Sequence, residues 1–241
     1  MLCAIMQPTF LPWMGYFSMM SKVDLFVYFD DVQLAKRSWQ VRNRIKGQNG
    51  ELFLNIPIKK SAARDELLIC DAVMDESQGW RPKHLNSFYH SYKKARHFEE
   101  VFAFLEPLYG EKTDKLSEFT ILLIESIKVA IGVDTRCILS SSLIGIEGQK
   151  DERLVSICKK IGANSYLSAA ASRDYIEMDS TGGAFSRNGI ELAYQEYIHP
   201  QYNQLGADFL PYMCIADLLF NVGFENALDV INNNTKDKAT C

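Results

Sequence analysis

Apolar and polar residues follow one another along the chain in blocks that have the lengths of strands and helices. Leu2 to Met6 is an apolar run that predicts a short buried strand, and two prolines within Gln7 to Pro12 predict a loop, because proline removes a backbone donor. Apolar residues at helical spacing then predict a helix from Trp13 to about Val23. Leu25 to Phe29 is rich in aromatic and β-branched residues and predicts a second strand.

A β-hairpin is predicted next, near residues 39–56. Two strand-like runs, Trp39 to Lys46 and Glu51 to Ile56, flank Gln48-Asn49-Gly50, and Asn-Gly between such runs is a strong hairpin signal. The polar stretch from Lys59 to Glu66 has no apolar anchor, so we expect a mobile loop there. Alternation along the first strand places Val41, Asn43 and Ile45 on one face and Arg42, Arg44 and Lys46 on the other.

The remaining chain predicts helices and strands in alternation. Residues 80–132 carry apolar positions at helical spacing, and Gly132 is suited to end the last helix. Beyond it we predict strands at Thr135 to Ser140, Tyr166 to Ser168 and Glu191 to Tyr197, with a helix at Asp151 to Ile161. This alternation indicates an α/β fold: a layered, largely parallel sheet flanked by helices, with the hairpin as an insertion. For 241 residues we expect one domain.

Composition limits the classes of function. The formal net charge of −4 argues against a protein that coats nucleic acid, since phosphate binding requires a strongly basic face. The six cysteines are scattered without a C-x-x-C pair, which fits a reducing cytosol. The first residues lack the basic region of a signal peptide, and the most apolar run, Phe119 to Val133, is broken by charges. We therefore expect a cytoplasmic protein without a membrane span.

Common catalytic signatures are missing from the sequence. It contains no G-x-x-x-x-G-K-[ST], G-x-G-x-x-G, H-E-x-x-H or G-x-S-x-G. The commonest kinase, dehydrogenase, zinc-protease and α/β-hydrolase classes are therefore excluded.

The loops after the first two strands are the first candidate site, because ligands of open α/β sheets bind beyond the carboxyl ends of strands. Gln7 and Thr9 precede a helix start that suits phosphate or carboxylate, although a proline-rich connection that only packs apolar side chains has the same sequence. Asp30 and Asp31 end the second strand, where they would cap it, bind a cation such as Mg²⁺, or act on a proton. Gln33, Lys36 and Arg37 follow closely and are expected around the same ligand.

The cationic face of the hairpin is a second candidate. Arg42, Arg44 and Lys46 suit a pyrophosphate group, but basic residues on one face are also typical of a solvated edge strand. Asn43 lies on the apolar face, where its amide needs partners that a ligand would supply. We predict that the hairpin, the paired aspartates and the opening proline loop border one ligand cavity.

Histidines and a late aspartate complete the candidates. His84, beside Lys83, and His199 are the two histidines placed where a general base would be useful, although a lone histidine is usually structural. Tyr197 and Tyr202 surround His199 and could hold a sugar or base. Asp217 interrupts an apolar helix and either bonds a loop or holds a cation or arginine.

A family resemblance rests on residues spread over nearly the whole chain. The carriers are Ala4 to Phe17 (AIMQPTFLPWMGYF), Asp30-Asp31-Val32-Gln33, Lys36, Trp39, Arg42 to Lys46 (RNRIK), Trp80 with Lys83-His84-Leu85, Glu152-Arg153-Leu154, Leu167-Ser168, Tyr197 with His199-Pro200, and Asp217 to Asn221. In this order they resemble the WbqC-like protein family. One departure is Ala169-Ala170-Ala171, where the resemblance leads us to expect Gly-Pro, and it counts against a backbone anion pocket there.

The resemblance implies a role in O-antigen and other surface-polysaccharide biosynthesis, with aminoacyl or glycyl transfer to an amino sugar. We expect transfer to the amine of a nucleotide-linked amino sugar; the acyl donor is open between an adenylate made from ATP with Mg²⁺ and a thioester on an acyl-carrier protein. The alternatives are an ATP-dependent nucleotidyl-transferring or ligase-type enzyme and a non-catalytic sugar-binding module. The expected catalytic residues are Asp30, Asp31, His84 and His199, and the expected substrate contacts are Gln7, Thr9, Trp13, Gln33, Lys36, Arg37, Trp39, Arg42, Asn43, Arg44, Lys46, Lys83, Arg153, Tyr197, Tyr202 and Asp217.

Overall fold

A computed structural model describes residues 1–60, 66–178 and 180–233. In chain order the elements are β1 (Leu2–Met6), α1 (Met14–Met20), β2 (Leu25–Tyr28), β3 (Arg42–Gly47), β4 (Gly50–Asn55), α2 (Trp80–Tyr92), α3 (Phe98–Tyr109), α4 (Leu116–Ala130), β5 (Arg136–Leu139), α5 (Lys150–Ile161), β6 (Ser165–Ala169), α6 (Arg173–Ile176), α7 (Gly183–Arg187), β7 (Glu191–Gln195), α8 (Ile215–Val222) and α9 (Phe224–Asn232).

The chain divides into two compact units. The first comprises residues 1–7, 19–31 and 134–197, and the second comprises residues 8–18, 32–133 and those from 198 onward. The single domain expected from chain length stays a prediction.

A parallel sheet forms the centre of the first unit. Within the described residues it has five strands in the order β5-β2-β1-β6-β7, and every neighbouring pair is parallel. All four residues of β2 are buried, as expected for a strand covered on both faces. The predicted α/β fold with a largely parallel sheet is confirmed.

Helix α5 packs on one face of this sheet. Leu154, Ile157 and Cys158 join the core that contains Cys3 and Ile5 of β1. The acidic first turn and basic last turn of α5 oppose its dipole, and the helix ends at Gly162, whose φ of 73° lies in the left-handed region that glycine adopts without strain. These features were all present in the sequence pattern.

The hairpin belongs to the second unit. Strands β3 and β4 pair antiparallel from Arg42 opposite Asn55 to Gly47 opposite Gly50. Asn43 and Ile45 are buried, whereas Arg42, Arg44 and Lys46 are half-buried, so the predicted alternation of faces is confirmed.

Aromatic side chains build the core of the second unit. Phe220 of α8 stacks on Tyr92 of α2, with 4.5 Å between ring centroids and 13° between planes, and also stacks on Phe98 of α3. Phe88 of α2 contacts the same ring, with its centroid 5.9 Å away. This cluster brings α2, α3 and α8 together, and such ring pairs add to the gain from burial.

Several predicted boundaries differ from the structure. Helix α1 starts at Met14 because Trp13 is extended and bridges Cys214, and it ends at Met20 rather than near Val23. Helix α3 lies within the predicted helical segment 80–132 but has no separate counterpart in the prediction. Strand β7 stops at Gln195 rather than Tyr197. Of the predicted loop from Lys59 to Glu66, residues 61–65 lie outside the described residues. None of the described helices is both long and apolar enough to cross a membrane.

Candidate functional site

The strand order of the first unit defines where a ligand is expected. The chain proceeds from β1 to β2 and β5 on one side and then returns to β6 and β7 on the other. Ligands of open parallel sheets bind at the carboxyl ends of the strands, where this order reverses. Gln7 follows β1 at that edge, Asp30 and Asp31 follow β2, and Ser140 and Ser141 follow β5.

Asp30 is buried and fully engaged by the chain. It is 2% exposed, and its Oδ1 accepts hydrogen bonds from the Ser141 amide at 3.0 Å and from Ser140 Oγ at 3.1 Å. Its Oδ2 accepts one from Ser141 Oγ at 2.7 Å, while its own amide donates to Ser140 Oγ at 3.2 Å. Asp30 therefore ties the end of β2 to the turn after β5, the structural role that its position also allowed.

Asp31 differs from its neighbour in exposure and in partner. Its side chain is 18% exposed, and its Oδ2 pairs with Nη2 of Arg153 at 2.6 Å. Its Oδ1 accepts a hydrogen bond from Ser140 Oγ at 2.5 Å. The carboxylate thus stays partly open at the carboxyl edge of the sheet, with a cation beside it.

Arg153 is placed at this edge by the first turn of α5. Its guanidinium carbon lies 5.9 Å from the centroid of the Phe29 ring, and its side chain is 27% exposed. Within the described part of the chain its Nε is buried and has no hydrogen-bond partner. A charged donor without an acceptor is costly, so an oxygen-bearing ligand would be stabilised there.

The hairpin and the proline loop meet within the second unit. The Asn43 amide nitrogen donates to the carbonyls of Phe10 at 2.9 Å and Leu11 at 2.8 Å, and its Oδ1 accepts from the Arg44 amide at 2.9 Å. The Phe10 amide donates to the Trp39 carbonyl at 2.9 Å. The chain itself therefore supplies the partners that we expected a ligand to give Asn43.

The three cations of the hairpin have different surroundings. Arg44 pairs with Glu51 at 2.7 Å and donates to the Tyr212 carbonyl at 3.3 Å, and Lys46 Nζ donates to the Asp208 carbonyl. Arg42 instead contacts rings, with its guanidinium carbon 5.2 Å from the Phe53 centroid and 6.0 Å from that of Trp39. Arg42 is thus the member of the set whose polar atoms are least engaged.

His84 is a buried, neutral histidine. It is 4% exposed, and Nε2 lies 3.1 Å from the Asn55 carbonyl, to which it donates. Burial lowers the pKa of His84 to about 4, since the charged ring would lose its hydration. Lys83, next to it, is exposed and donates from Nζ to the Gln78 carbonyl at 2.8 Å.

His199 has both ring nitrogens bound to the backbone. Nε2 accepts from the Tyr212 amide at 3.0 Å, which leaves Nδ1 to donate to the Pro200 carbonyl at 2.8 Å. The ring stacks on Trp13, with 6.2 Å between centroids and 7° between planes. Burial lowers the pKa of His199, so the neutral form is favoured, and its lone pair is already used.

Asp217 is the centre of a buried network in the second unit. It is 0% exposed, and its carboxylate accepts hydrogen bonds from Tyr92 and Tyr202, each at 2.6 Å, and from Gln204 Nε2 at 2.8 Å. Burial raises its pKa, and the three donors oppose that shift. Of the two sequence interpretations, hydrogen bonding to a loop is therefore observed, since Tyr202 and Gln204 belong to the irregular segment before α8.

The other predicted contacts are dispersed over the two units. Gln33 forms an isolated antiparallel β-bridge with Leu68. Tyr197 is partly buried, and this burial raises the pKa of its hydroxyl. Thr9 is half-buried in the proline loop. Lys36 and Arg37 line a small cavity of about 80 Å³ with Val41. Among the described residues no three His, Cys, Asp or Glu side chains gather where a metal ion could be held.

The predicted common cavity stays a prediction. The aspartates and Arg153 belong to the first unit, whereas the hairpin and residues 8–12 belong to the second. Two sets of residues were not among the predicted site residues: Ser140 and Ser141, and Phe53 with Trp80, of which Trp80 had been named only as a carrier of the family resemblance. The run of serines at the end of a predicted strand was a signal for the first set; nothing in the sequence distinguished the second.

Comparison with known proteins identifies the family. The model of the WbqC-like protein family matches residues 7–229. The chain belongs to the WbqC-like family. It is also similar to Uncharacterized protein Rv1507c of Mycobacterium tuberculosis (strain ATCC 25618 / H37Rv), with 33% identity over 224 residues that cover 92% of this chain and 94% of that protein. No solved structure matches this family member significantly. The resemblance inferred from the residues is thereby confirmed.

Proposed function

We propose that the protein is a transferase of bacterial surface-polysaccharide (O-antigen) biosynthesis that moves an aminoacyl, glycyl-like group onto the amine of a nucleotide-linked amino sugar. Membership of the WbqC-like family supports this setting. The structural observation that carries the proposal is the pair of Asp31 and Arg153, which lies 2.6 Å apart at the carboxyl edge of a parallel sheet.

The chemistry needs a group that accepts a proton from the attacking amine. As the new C–N bond forms, the bond from the acyl carbon to its leaving group breaks, and the amine must lose a proton. Asp31 is the acceptor in this proposal, because it is the aspartate of the pair that is partly exposed. Arg153 orients the carboxylate through its contact with Oδ2, and its Nε, which has no partner among the described residues, is assigned to an oxygen of the substrate.

The buried partner has another part in the same proposal. Asp30 accepts hydrogen bonds from both serines of the turn after β5 and thereby positions Ser140, which also bonds Asp31. Neither His84 nor His199 enters as the base, because each ring is neutral and engaged by backbone groups.

A second candidate is an ATP-dependent ligase or nucleotidyl-transferring enzyme. The observation that favours it is the strand order β5-β2-β1-β6-β7, whose reversal point beside β1 is where nucleotides bind in doubly wound sheets. Release of pyrophosphate from ATP in the presence of glycine would support this candidate. Product formation from a pre-charged thioester without ATP would exclude it.

The deciding experiment is a search for product mass. The protein is incubated with nucleotide-linked amino sugars and either free amino acids with ATP and Mg²⁺ or aminoacyl thioesters, and the acceptor mass is measured. We expect a gain equal to one aminoacyl residue with wild type and with the control Asp134→Asn, which changes an exposed aspartate of the same unit. Asp31→Asn should reduce the rate at least ~100-fold, since general-base catalysis contributes about that factor or more.

Two outcomes would end the proposal. Full activity in Asp31→Asn would remove the assigned base. Absence of a mass gain across all donors, together with ligand-induced thermal stabilisation, would point to the third class, a non-catalytic sugar-binding module.

A further inference from the structure

A pocket lies between hairpin strand β4 and helix α2 in the second unit. Its volume is about 280 Å³, and its lining includes Phe53, Gln78, Trp80, Lys83 and His84. One aromatic wall comes from the strand and another from the first turn of the helix. A concave site with rings and a few polar groups is the usual form of a small-molecule site.

Two buried donors at and beside this pocket have no acceptor. Trp80 is 3% exposed, and within the described part of the chain its Nε1 makes no hydrogen bond. The same holds for Nε of Arg42, whose guanidinium carbon lies 5.2 Å from the centroid of the Phe53 ring. Buried N–H groups are nearly always paired in folded proteins, so one such donor on a residue that lines the pocket and another beside the Phe53 ring indicate a ligand that supplies acceptors.

The cations and the exposed aromatic rings around the pocket indicate which chemical groups that ligand carries. Two cations favour an anion here: Arg42, and the exposed Lys83, whose ammonium group donates to the Gln78 carbonyl and keeps two further N–H donors. Phe53 and Trp39 are 41% and 48% exposed although both are large aromatic residues, and the Arg42 guanidinium contacts both rings. Exposed rings beside a guanidinium are suited to stack on a flat heterocycle.

Other basic groups nearby are already committed. Arg44 is paired with Glu51, and Lys46 donates to the Asp208 carbonyl. His84 donates to the Asn55 carbonyl and contributes a neutral wall. Within this part of the hairpin, Arg42 is therefore the cation best able to bind an anion without breaking an existing ion pair.

We propose that Trp39, Arg42, Phe53, Trp80 and Lys83 form a binding site for a nucleoside diphosphate, with the base on the exposed rings and phosphate oxygens on the unpaired donors. This assignment rests on the proposed function, in which the acceptor sugar is linked to a nucleotide. The site holds few cations, and the chain carries a net charge of −4, which fits a mononucleotide better than a polynucleotide.

Binding is tested without any acyl donor. Uridine, guanosine and adenosine diphosphates are titrated into the full chain by calorimetry, next to the matching nucleosides, inorganic pyrophosphate and a short single-stranded oligonucleotide. We expect at least one diphosphate to bind about tenfold or more tightly than its nucleoside and than pyrophosphate, since both halves of the ligand contribute. Equal affinity for pyrophosphate, or tighter binding of the oligonucleotide, would overturn the assignment.

Three variants locate the site. Arg42→Gln and Phe53→Leu should each weaken diphosphate binding by about tenfold, whereas Arg96→Gln, which changes an exposed arginine of the same unit, should not change it. Trp80→Phe keeps a ring and removes only the N–H, so it should weaken binding by severalfold if a phosphate oxygen uses that donor. Unchanged affinity in all three variants would overturn the proposal.

The result is separable from the proposed reaction. Diphosphate binding at these residues without any product mass would retain the site and remove the transferase. Product mass with an amino sugar that carries no nucleotide, without diphosphate binding, would retain the transfer reaction and remove the site.

Discussion

The Tyr92 hydroxyl donates a hydrogen bond of 2.6 Å to Oδ1 of Asp217, across 125 residues of sequence. The hydroxyl oxygen of Tyr92 also accepts a hydrogen bond from the Lys46 amide at 3.1 Å, so this one hydroxyl joins helix α2, helix α8 and hairpin strand β3. Tyr92 is 1% exposed and Asp217 is 0% exposed. Buried polar groups are stable only when they are paired, so this contact fixes how three elements of the second unit fit together.

Removal of this hydroxyl should destabilise the second unit. In Tyr92→Phe the Lys46 amide and Oδ1 of Asp217 both lose a partner, and we expect a loss of roughly 2–3 kcal/mol in the free energy of unfolding. Tyr202→Phe should cost about 1 kcal/mol, because Gln204 still donates to Oδ2 of Asp217. Urea denaturation followed by circular dichroism gives both values. Tyr89→Phe, on the exposed face of α2, is the control, and an equal loss there would contradict the argument.

Stability should fall in mild acid because of His84. Its pKa is lowered from 6.5 to about 4 in the folded protein, mainly by burial. The folded state therefore binds the proton more weakly than the unfolded state. The contribution of neutral His84 to the free energy of unfolding is complete above pH 6.5 and is lost as the pH falls towards 4. At about 1.4 kcal/mol for each pKa unit, the contribution is on the order of 3 kcal/mol.

The check for His84 is a series of urea midpoints between pH 7 and pH 4. His84→Gln should flatten the decline over this range, since the glutamine side chain does not titrate. His90→Gln, at an exposed position of the same helix, should keep the wild-type slope. A decline that is identical in all three proteins would assign the acid sensitivity to other groups.

The two adjacent aspartates should separate stability from activity. Asp30→Asn replaces one of the two acceptor oxygens by an NH₂ group, which faces the donors of Ser140 and Ser141. We therefore expect a loss of roughly 2–3 kcal/mol in the free energy of unfolding. Asp31→Asn changes a partly exposed ion pair and should cost under about 1 kcal/mol while it removes transfer activity. Thermal unfolding and the product-mass assay are run on both variants. A stable but inactive Asp30→Asn together with an unstable Asp31→Asn would assign the base to Asp30 and the structural role to Asp31.

Asn43 should act through the backbone of the proline loop. Asn43→Ala leaves the carbonyls of Phe10 and Leu11 without their donor, and Asn43→Asp sets a carboxylate against them. We expect losses of about 2 kcal/mol for alanine and more for aspartate, measured by urea denaturation. Asn86→Ala, at an exposed position of α2, serves as the control. A larger loss for alanine than for aspartate would refute this account.

Cysteine reactivity should follow burial. Cys3 and Cys158 are buried with their sulfur atoms 3.6 Å apart, and their mutual hydrogen bond together with burial raises the pKa of Cys158. Cys70 and Cys137 are partly exposed. Among the five cysteines that the structure describes, iodoacetamide should modify Cys70 and Cys137 first in native protein, as measured by peptide mass mapping. Modification of Cys3 before unfolding would contradict the packing of β1 on α5.

The fold was predictable because its signals are local. The apolar runs at Leu2 to Met6 and Leu25 to Phe29, the helical spacing of Asp151 to Ile161 and the Asn-Gly turn each specify one element, and their alternation specifies a parallel sheet. Element ends were less predictable. The start of α1 is set by the bridge between Trp13 and Cys214, a long-range contact that no local pattern contains.

The sequence predicted which types of residue lie at the strand ends of the candidate site, but not which of these residues contact one another. Sequence indicated Asp30 and Asp31 together, whereas burial under the serines of the next turn separates a structural carboxylate from an exposed one. Arg153 came only from the family resemblance, and its distance from Asp31 depends on how α5 packs. Trp80 entered only through the family resemblance and Phe53 gave no signal, since isolated aromatic residues are usually core residues.

The order in which the segments of each unit occur along the chain also affects biosynthesis. The first unit is complete once residue 197 has left the ribosome, but the second still lacks the segment that carries Asp217 and Phe220. At translation rates of about 5–20 residues per second, Tyr92 and the hairpin spend seconds without these partners. Stalled nascent chains that have emerged only as far as residue 197 should therefore expose the aromatic surface of α2 and recruit chaperones, and full-length chains released from the ribosome should not.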